Sequence, residues 1–212
     1  MLESASIMEQ NNNHRLMSHT TTVAVKVDGG IILGTESQAT MGYLVASDTA
    51  PKILQITDHT AMTISGSVAD AQQLINSVRA IAKLEALDKG RELTVKAISR
   101  LTSSILFRNR MFPLIAMLIV GGVDEKGGHV YMLDPLGSML EEEDFTATGS
   151  GSVVAYGVLE DEYRKDMTIE DGKQLVMRAV NAARRRDIAS GGSIQIAVIN
   201  SKGVKISKEE LA

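Results

Sequence analysis

The sequence predicts an α/β (α+β) fold, a four-layer αββα sandwich in which two antiparallel sheets lie between two helical layers. Three observations predict it. The elements run strands, two helices, strands, two helices, strands, without the regular βα alternation of a doubly wound nucleotide fold. Strands such as 31–34 (IILG) and 114–120 (LIAMLIV) are apolar on both sides, which suits sheets covered on both faces. Hydrophobic residues make up 44% of the 212, enough to core one large domain without staples.

Sharp patterning starts at Thr20. In 20–28 (TTTVAVKVD), Val23, Val25 and Val27 alternate as they would along a strand. Asp28-Gly29-Gly30 marks a tight turn, and 30–37 (GIILGTES) runs back as the second arm of a hairpin. After a loop, 52–57 and 60–65 read as strands around Asp58-His59. From Ser67 to Ala86 apolar residues recur at helical spacing (Val68, Ala71, Leu74, Ile75, Val78, Ile81, Leu84), and Lys89-Gly90 is a stop signal. Thr94–Phe107 is a second helix, with Ile98, Leu101, Ile105 and Leu106 on one side. Leu114–Val123 and His129–Leu133 form a hairpin, and Thr146–Thr148 a short strand. A third helix runs from Ser152 to about Arg164. A fourth runs from Thr168 to Arg186 behind a near capping box, Thr168 with Asp171. Ser193–Asn200 is a strand, and Val204–Ile206 closes a last hairpin.

Composition excludes several functions. There is no cysteine, hence no disulfide, thiolate metal site or cysteine nucleophile. The net charge of −4 is spread over interspersed residues, which argues against a nucleic-acid or membrane surface. Arg184-Arg185-Arg186 reads as a solvated or ion-paired run and Glu141–Asp144 as a solvated loop. With 3% aromatics and no tryptophan there is no stacking platform for single strands. No apolar run approaches the ~18 residues that cross a bilayer. Residues 1–19 are polar, lack the apolar centre of a secretory signal, and read as a flexible extension preceding a single domain over 20–212. His14, His19, His59 and His129 have no metal-ligand spacing. Gly149-Ser150-Gly151-Ser152 is followed by no lysine, so it is not a phosphate loop, and it is too short for a G-x-S-x-G elbow.

One arrangement carries chemistry. Three threonines open the first strand behind the polar leader. If the chain is cut before Thr20, that residue holds both a hydroxyl and an α-amine whose pKa lies near about 8, a base for its own nucleophile without any histidine. Taken alone, the triplet is also ordinary β propensity.

Around it, TTTVAVKVDGGIILGTESQATMG, the stretch from Ala50-Pro51-Lys52, MTISGSVADAQ, GGVD, TGSGSVVAYGVLEDEYRKDMT and RRRDIASGG resemble, collinearly over about residues 20–207, the proteasome β family, especially its archaeal members. The resemblance implies an N-terminal-nucleophile (Ntn-hydrolase-like) fold and a threonine protease, with 1–19 a propeptide cleaved between His19 and Thr20. It places Thr20 as nucleophile, Lys52 beside it, Glu36 as the acid that holds the lysine, and Gly66 as the oxyanion donor. Ser150, Asp187 and Ser190 fall on the network that orients the new N-terminus. Ala39, Leu54, Ile64 and Val68 fall on the substrate pocket and imply a preference for hydrophobic side chains before the cut. No metal or cofactor is implied. The implied partners are proteasome α-type subunits, other β-type subunits in heptameric rings, unfolded protein substrates and, indirectly, an ATP-dependent unfoldase, all in the cytoplasm.

Two positions depart from the family. It usually has aspartate, any residue, arginine where this chain has Glu36-Ser37-Gln38. The extra methylene of Glu36 is expected to push on Lys52, and a shift of about 1 Å can cost on the order of 10²-fold in rate. Glycine usually precedes the nucleophile, and here it is His19, whose Cβ penalises the strained backbone of self-cleavage. These departures define a second reading, an unprocessed structural β-type subunit of a mixed ring.

Overall fold

The computed structural model describes residues 20–41 and 44–209. Among them are twelve strands and four helices. The first half runs β1 (Thr22–Val27), β2 (Gly30–Glu36), β3 (Ala39–Met41), β4 (Leu44–Ser47), β5 (Ile53–Thr57), β6 (Thr60–Gly66), α1 (Val68–Lys89) and α2 (Val95–Arg108). The second half runs β7 (Ala116–Asp124), β8 (Gly127–Leu133), β9 (Met139–Glu142), β10 (Phe145–Thr148), α3 (Ser152–Glu162), α4 (Ile169–Arg184), β11 (Ile194–Asn200) and β12 (Gly203–Glu209).

One sheet has the order β10-β1-β2-β11-β12 and the other β5-β6-β7-β8-β9, every pairing antiparallel. Strand alternation then builds three apolar layers. Val23, Val25, Ile32, Ile194 and Ile196 meet Ala155, Leu159, Leu175, Val176 and Val180 of α3 and α4. Met62, Ile64, Leu118 and Val120 meet Leu74, Ile75, Val78, Ile98 and Leu106 of α1 and α2. Between the sheets lie Ala24, Ile31, Leu33, Ala61, Ile119, Ala197 and Ile199. This is the helix–sheet–sheet–helix sandwich, and the doubly apolar strands β2 and β7 are among those covered on both faces.

Local chemistry sets the helix ends. Ser67 and Thr94 accept from Asp70 N and Ala97 N at the starts of α1 and α2. Thr168 and Asp171 form the full capping box of α4. Gly90, at φ 66°, closes α1 in the left-handed region. That helix runs three residues beyond Ala86, because Gly90 is the first residue able to turn the chain.

Two expectations need correction. The loop after Ser37 contains the β3–β4 hairpin, whose three- and four-residue strands and register shift at Ala39/Thr40 are too short to leave a periodic signal. Glu141 and Glu142 belong to edge strand β9 rather than a loop, with Glu141 opposite Tyr131 on β8. Charged side chains on an edge strand hide its alternation while blocking further pairing.

Candidate active site

The layer between the sheets changes character along its length. On β1 the inward face passes from Ala24 to Thr22 and Thr20, on β2 from Leu33 to Thr35, on β6 from Ala61 to Thr63 and Ser65, and on β11 from Ala197 to Gln195. One end of the cleft is aliphatic and the other is lined with buried hydroxyls and an amide. Thr20 stands at the polar end.

Lys52, just ahead of β5, reaches Thr20 across the cleft. Its Nζ donates to Thr20 Oγ1 at 3.0 Å and to Glu36 Oε1 at 2.5 Å. Thr20 and Lys52 are each 3% exposed and Glu36 is fully enclosed. The longer side chain of Glu36 therefore still meets Lys52, because its other oxygen is drawn back onto Gln38 N (2.7 Å) and Gly191 N (3.1 Å). Burial pushes the Glu36 carboxyl above its usual range, opposed by the Lys52 charge. Burial pushes the Lys52 ammonium down, opposed by the Glu36 charge.

A second cluster holds the neighbouring Thr21. Its N–H points at Glu36 Oε1 (3.4 Å), its carbonyl accepts from Thr35 Oγ1 (3.0 Å), and its Oγ1 shares a hydrogen bond with Ser190 Oγ (2.8 Å). Asp187 Oδ2 accepts from both Ser150 Oγ (2.5 Å) and Ser190 Oγ (2.7 Å). Ser150, Asp187 and Ser190 are thus one network that reaches the start of β1 through Thr21.

Glycines allow the approach. Gly66 has φ 128°, and a Cβ there would stand 2.1 Å from the Ile115 carbonyl oxygen. It turns β6 into α1, so the helix N-terminus begins beside Ser65 and Ser67. Gly149 has φ 91°, and its Cβ would stand 1.9 Å from the Thr20 carbonyl oxygen and 3.0 Å from Ser65 Oγ. Gly149→Ala is expected to cost roughly 2–5 kcal/mol from positive φ and overpacking together. The urea midpoint measures this, and an unchanged midpoint would show that the start of β1 yields freely.

The four pocket positions lie on β3, β5, β6 and the start of α1. Ile64 is buried and Leu54 partly buried in the layer under α1. Ala39 is half-buried on β3, and Val68 opens α1 at 38% exposure. Ile64 is tied to the site because its N–H donates to the Lys52 carbonyl (2.9 Å). His19 and the cleavage position, with the rest of 1–19, lie outside the described residues.

Sequence reading overlooked Thr21, Thr35, Ser65, Gln195, Gly149 and Gly151. Four of these are the polar residues that continue an apolar strand face or flank the nucleophile. That signal emerges only after the strands are assigned to faces. Gly149 and Gly151 carry no sequence signal of what approaches them; a Cβ at Gly151 would stand 2.0 Å from Thr21 Oγ1.

The sandwich of two antiparallel sheets between helical layers is consistent with an Ntn-hydrolase-like fold. A family model described as proteasome subunit matches residues 17–199. The chain is 45% identical over 194 residues to the proteasome subunit beta of Methanosarcina thermophila, covering 92% of each chain. It is 48% identical over 198 residues to proteasome subunit beta 1 of Korarchaeum cryptofilum, covering 93% of this chain and 96% of the relative. With the proteasome subunit beta of Methanothrix thermoacetophila it shares 49% identity over 177 residues, covering 84% and 86%. The chain belongs to the proteasome subunit family, as a β-type subunit of the core particle, the type generally charged with proteolysis. No helix among the described residues is long and apolar enough to cross a membrane.

Proposed function

We propose that this chain is itself a threonine endopeptidase, activated when residues 1–19 are removed by self-cleavage between His19 and Thr20. The observation that carries the reading is the buried line Glu36–Lys52–Thr20, with Lys52 Nζ 3.0 Å from Thr20 Oγ1. Once Thr20 is the first residue, its α-amine takes the proton from its own Oγ1, and the oxygen attacks the scissile carbonyl. Lys52, as an ammonium anchored by Glu36, lowers the amine's pKa through its field and favours the deprotonated threonine. The Gly66 N–H donates to the developing oxyanion, a bond of about 3–4 kcal/mol in such sites. The proton passes to the leaving amine, an ester to Thr20 remains, and water releases it. Ser150, Asp187 and Ser190 orient the new N-terminus and that water.

Ala39, Leu54, Ile64 and Val68 form an apolar pocket for the residue before the cut. Heptameric β rings stacked on rings of α-type subunits enclose the sites, so that only unfolded chains delivered by an ATP-dependent unfoldase in the cytoplasm reach them. Neither the comparisons nor the Glu36–Lys52 contact favours the structural-subunit reading.

The test is intact mass and N-terminal sequencing after co-assembly with α-type subunits, followed by a panel of peptides. A chain starting at Thr20 that cuts after hydrophobic residues is expected. Retention of 1–19 in an assembled particle would leave Thr20 amide-capped and return the chain to the structural reading. Cleavage confined to acidic or basic residues would overturn the pocket.

A further inference from the structure

The segment that carries Lys52 leads into β5, the edge strand of its sheet, where β6 lies on one side. β5 begins at Ile53, and Pro51 supplies no N–H. Its backbone must find partners elsewhere, since buried peptide groups left unpaired are costly. Ala50 N donates to Ser37 O (2.9 Å), and Lys52 O accepts from Ile64 N (2.9 Å). Pro51 is exposed, so its carbonyl can meet water; the Lys52 N–H and the Ala50 carbonyl are both taken by one side chain. Gln195 Oε1 accepts from Lys52 N at 3.0 Å, and Gln195 Nε2 donates to Ala50 O at 2.8 Å.

We infer that Gln195 is a positioning residue for Lys52, and through it for Thr20; this rests on the protease reading above. A carboxamide presents one acceptor and a donor side by side, as a neighbouring strand would. Gln195 thereby stands in for the missing strand on both sides of Pro51. It does so from β11 of one sheet to the lead-in of β5 in the other, so it sets the height of Lys52 across the cleft. Its own place is firm, with 2% exposure and Thr35 and Lys208 opposite on β2 and β12. Glu36 and Thr20 hold the ammonium end of Lys52, and Gln195 holds its backbone end. Neither end alone defines where a four-carbon side chain places its charge.

The test compares Gln195→Met and Gln195→Glu with the parent, each as the full chain co-assembled with α-type subunits. Gln195→Met keeps the bulk and removes both hydrogen bonds. It is expected to lower kcat about 10–100-fold with KM within about twofold, and to lengthen Lys52 Nζ–Thr20 Oγ1 by about 1 Å in a crystal structure of the particle. Gln195→Glu is expected to behave differently with pH. Protonated, its carboxyl offers the same acceptor and donor; ionised, it loses the donor to Ala50 O and keeps only the acceptor. Its kcat relative to the parent is therefore expected to be highest at low pH and to fall as pH rises, which a loss of stability alone would not produce. An unmoved Lys52 with kcat within twofold in Gln195→Met, or a flat ratio for Gln195→Glu, would overturn the inference. If Gln195→Met does not assemble, the pH ratio of Gln195→Glu decides. A parent that hydrolyses nothing sinks the protease reading, whereas the Lys52–Thr20 distance in Gln195→Met still decides the role of Gln195.

Discussion

Lys52→Ala, in particles whose β chain already begins at Thr20, is expected to lower kcat by about 10³–10⁴-fold while the rings stay intact. Starting from Thr20 matters, because a variant that fails to process itself would be silent for a different reason. Two effects add up in this substitution. The ammonium that stands 3.0 Å from Thr20 Oγ1 is lost. Its field no longer holds down the pKa of the α-amine, so the acid limb of kcat/KM moves to higher pH. Lys52→Arg is not expected to rescue the rate, since a planar fork does not fit the 3%-exposed space between Glu36 and Thr20. Ring loss in Lys52→Ala would instead show that Lys52 acts mainly in folding. An acid limb that stays put would remove the field argument.

Glu36→Gln is expected to have the second-largest effect, and its sign follows from the same pair. Burial lowers the Lys52 pKa and the Glu36 charge raises it. Removing that charge leaves only the smaller opposing pull of Asp187 against burial, so Lys52 loses its proton at lower pH than in the parent. A rate that depends on the ammonium then falls earlier as pH rises, and the alkaline limb of kcat moves down. At neutral pH kcat is expected to drop about 10–100-fold. A buried cation stripped of its partner typically costs about 3–5 kcal/mol, so the thermal midpoint is expected to fall too. An alkaline limb that moves up, or not at all, would show that Glu36 does not set the charge on Lys52.

Much of this was legible in the chain. Alternation in Val23-Ala24-Val25 announced β1, and the Asp28-Gly29-Gly30 turn announced its hairpin with β2. Helical spacing and the Thr168–Asp171 box announced α4. These are local signals, set by periods of two and 3.6 residues and by hydrogen bonds within a turn. The β3–β4 hairpin and β9 were not legible, because a strand of three or four residues at an edge has no room for a period and exists only through the backbone of its partner.

The site divides in the same way. Residue types at Thr20, Glu36, Lys52, Gly66, Ser150, Asp187 and Ser190 could be named from their place in a resemblance, without knowing any distance. Sequence by itself determined the four-layer order, the apolar faces and the candidate nucleophile, because each is written in neighbours along the chain. Tertiary structure alone decided how Glu36 spends its extra methylene, on Gln38 N and Gly191 N, and so keeps Lys52 within reach of Thr20. It alone brought Gln195, 143 positions further along, onto the backbone of Lys52. The physical reason is that these contacts join two sheets packed face to face, and their partners are chosen by packing rather than by sequence separation.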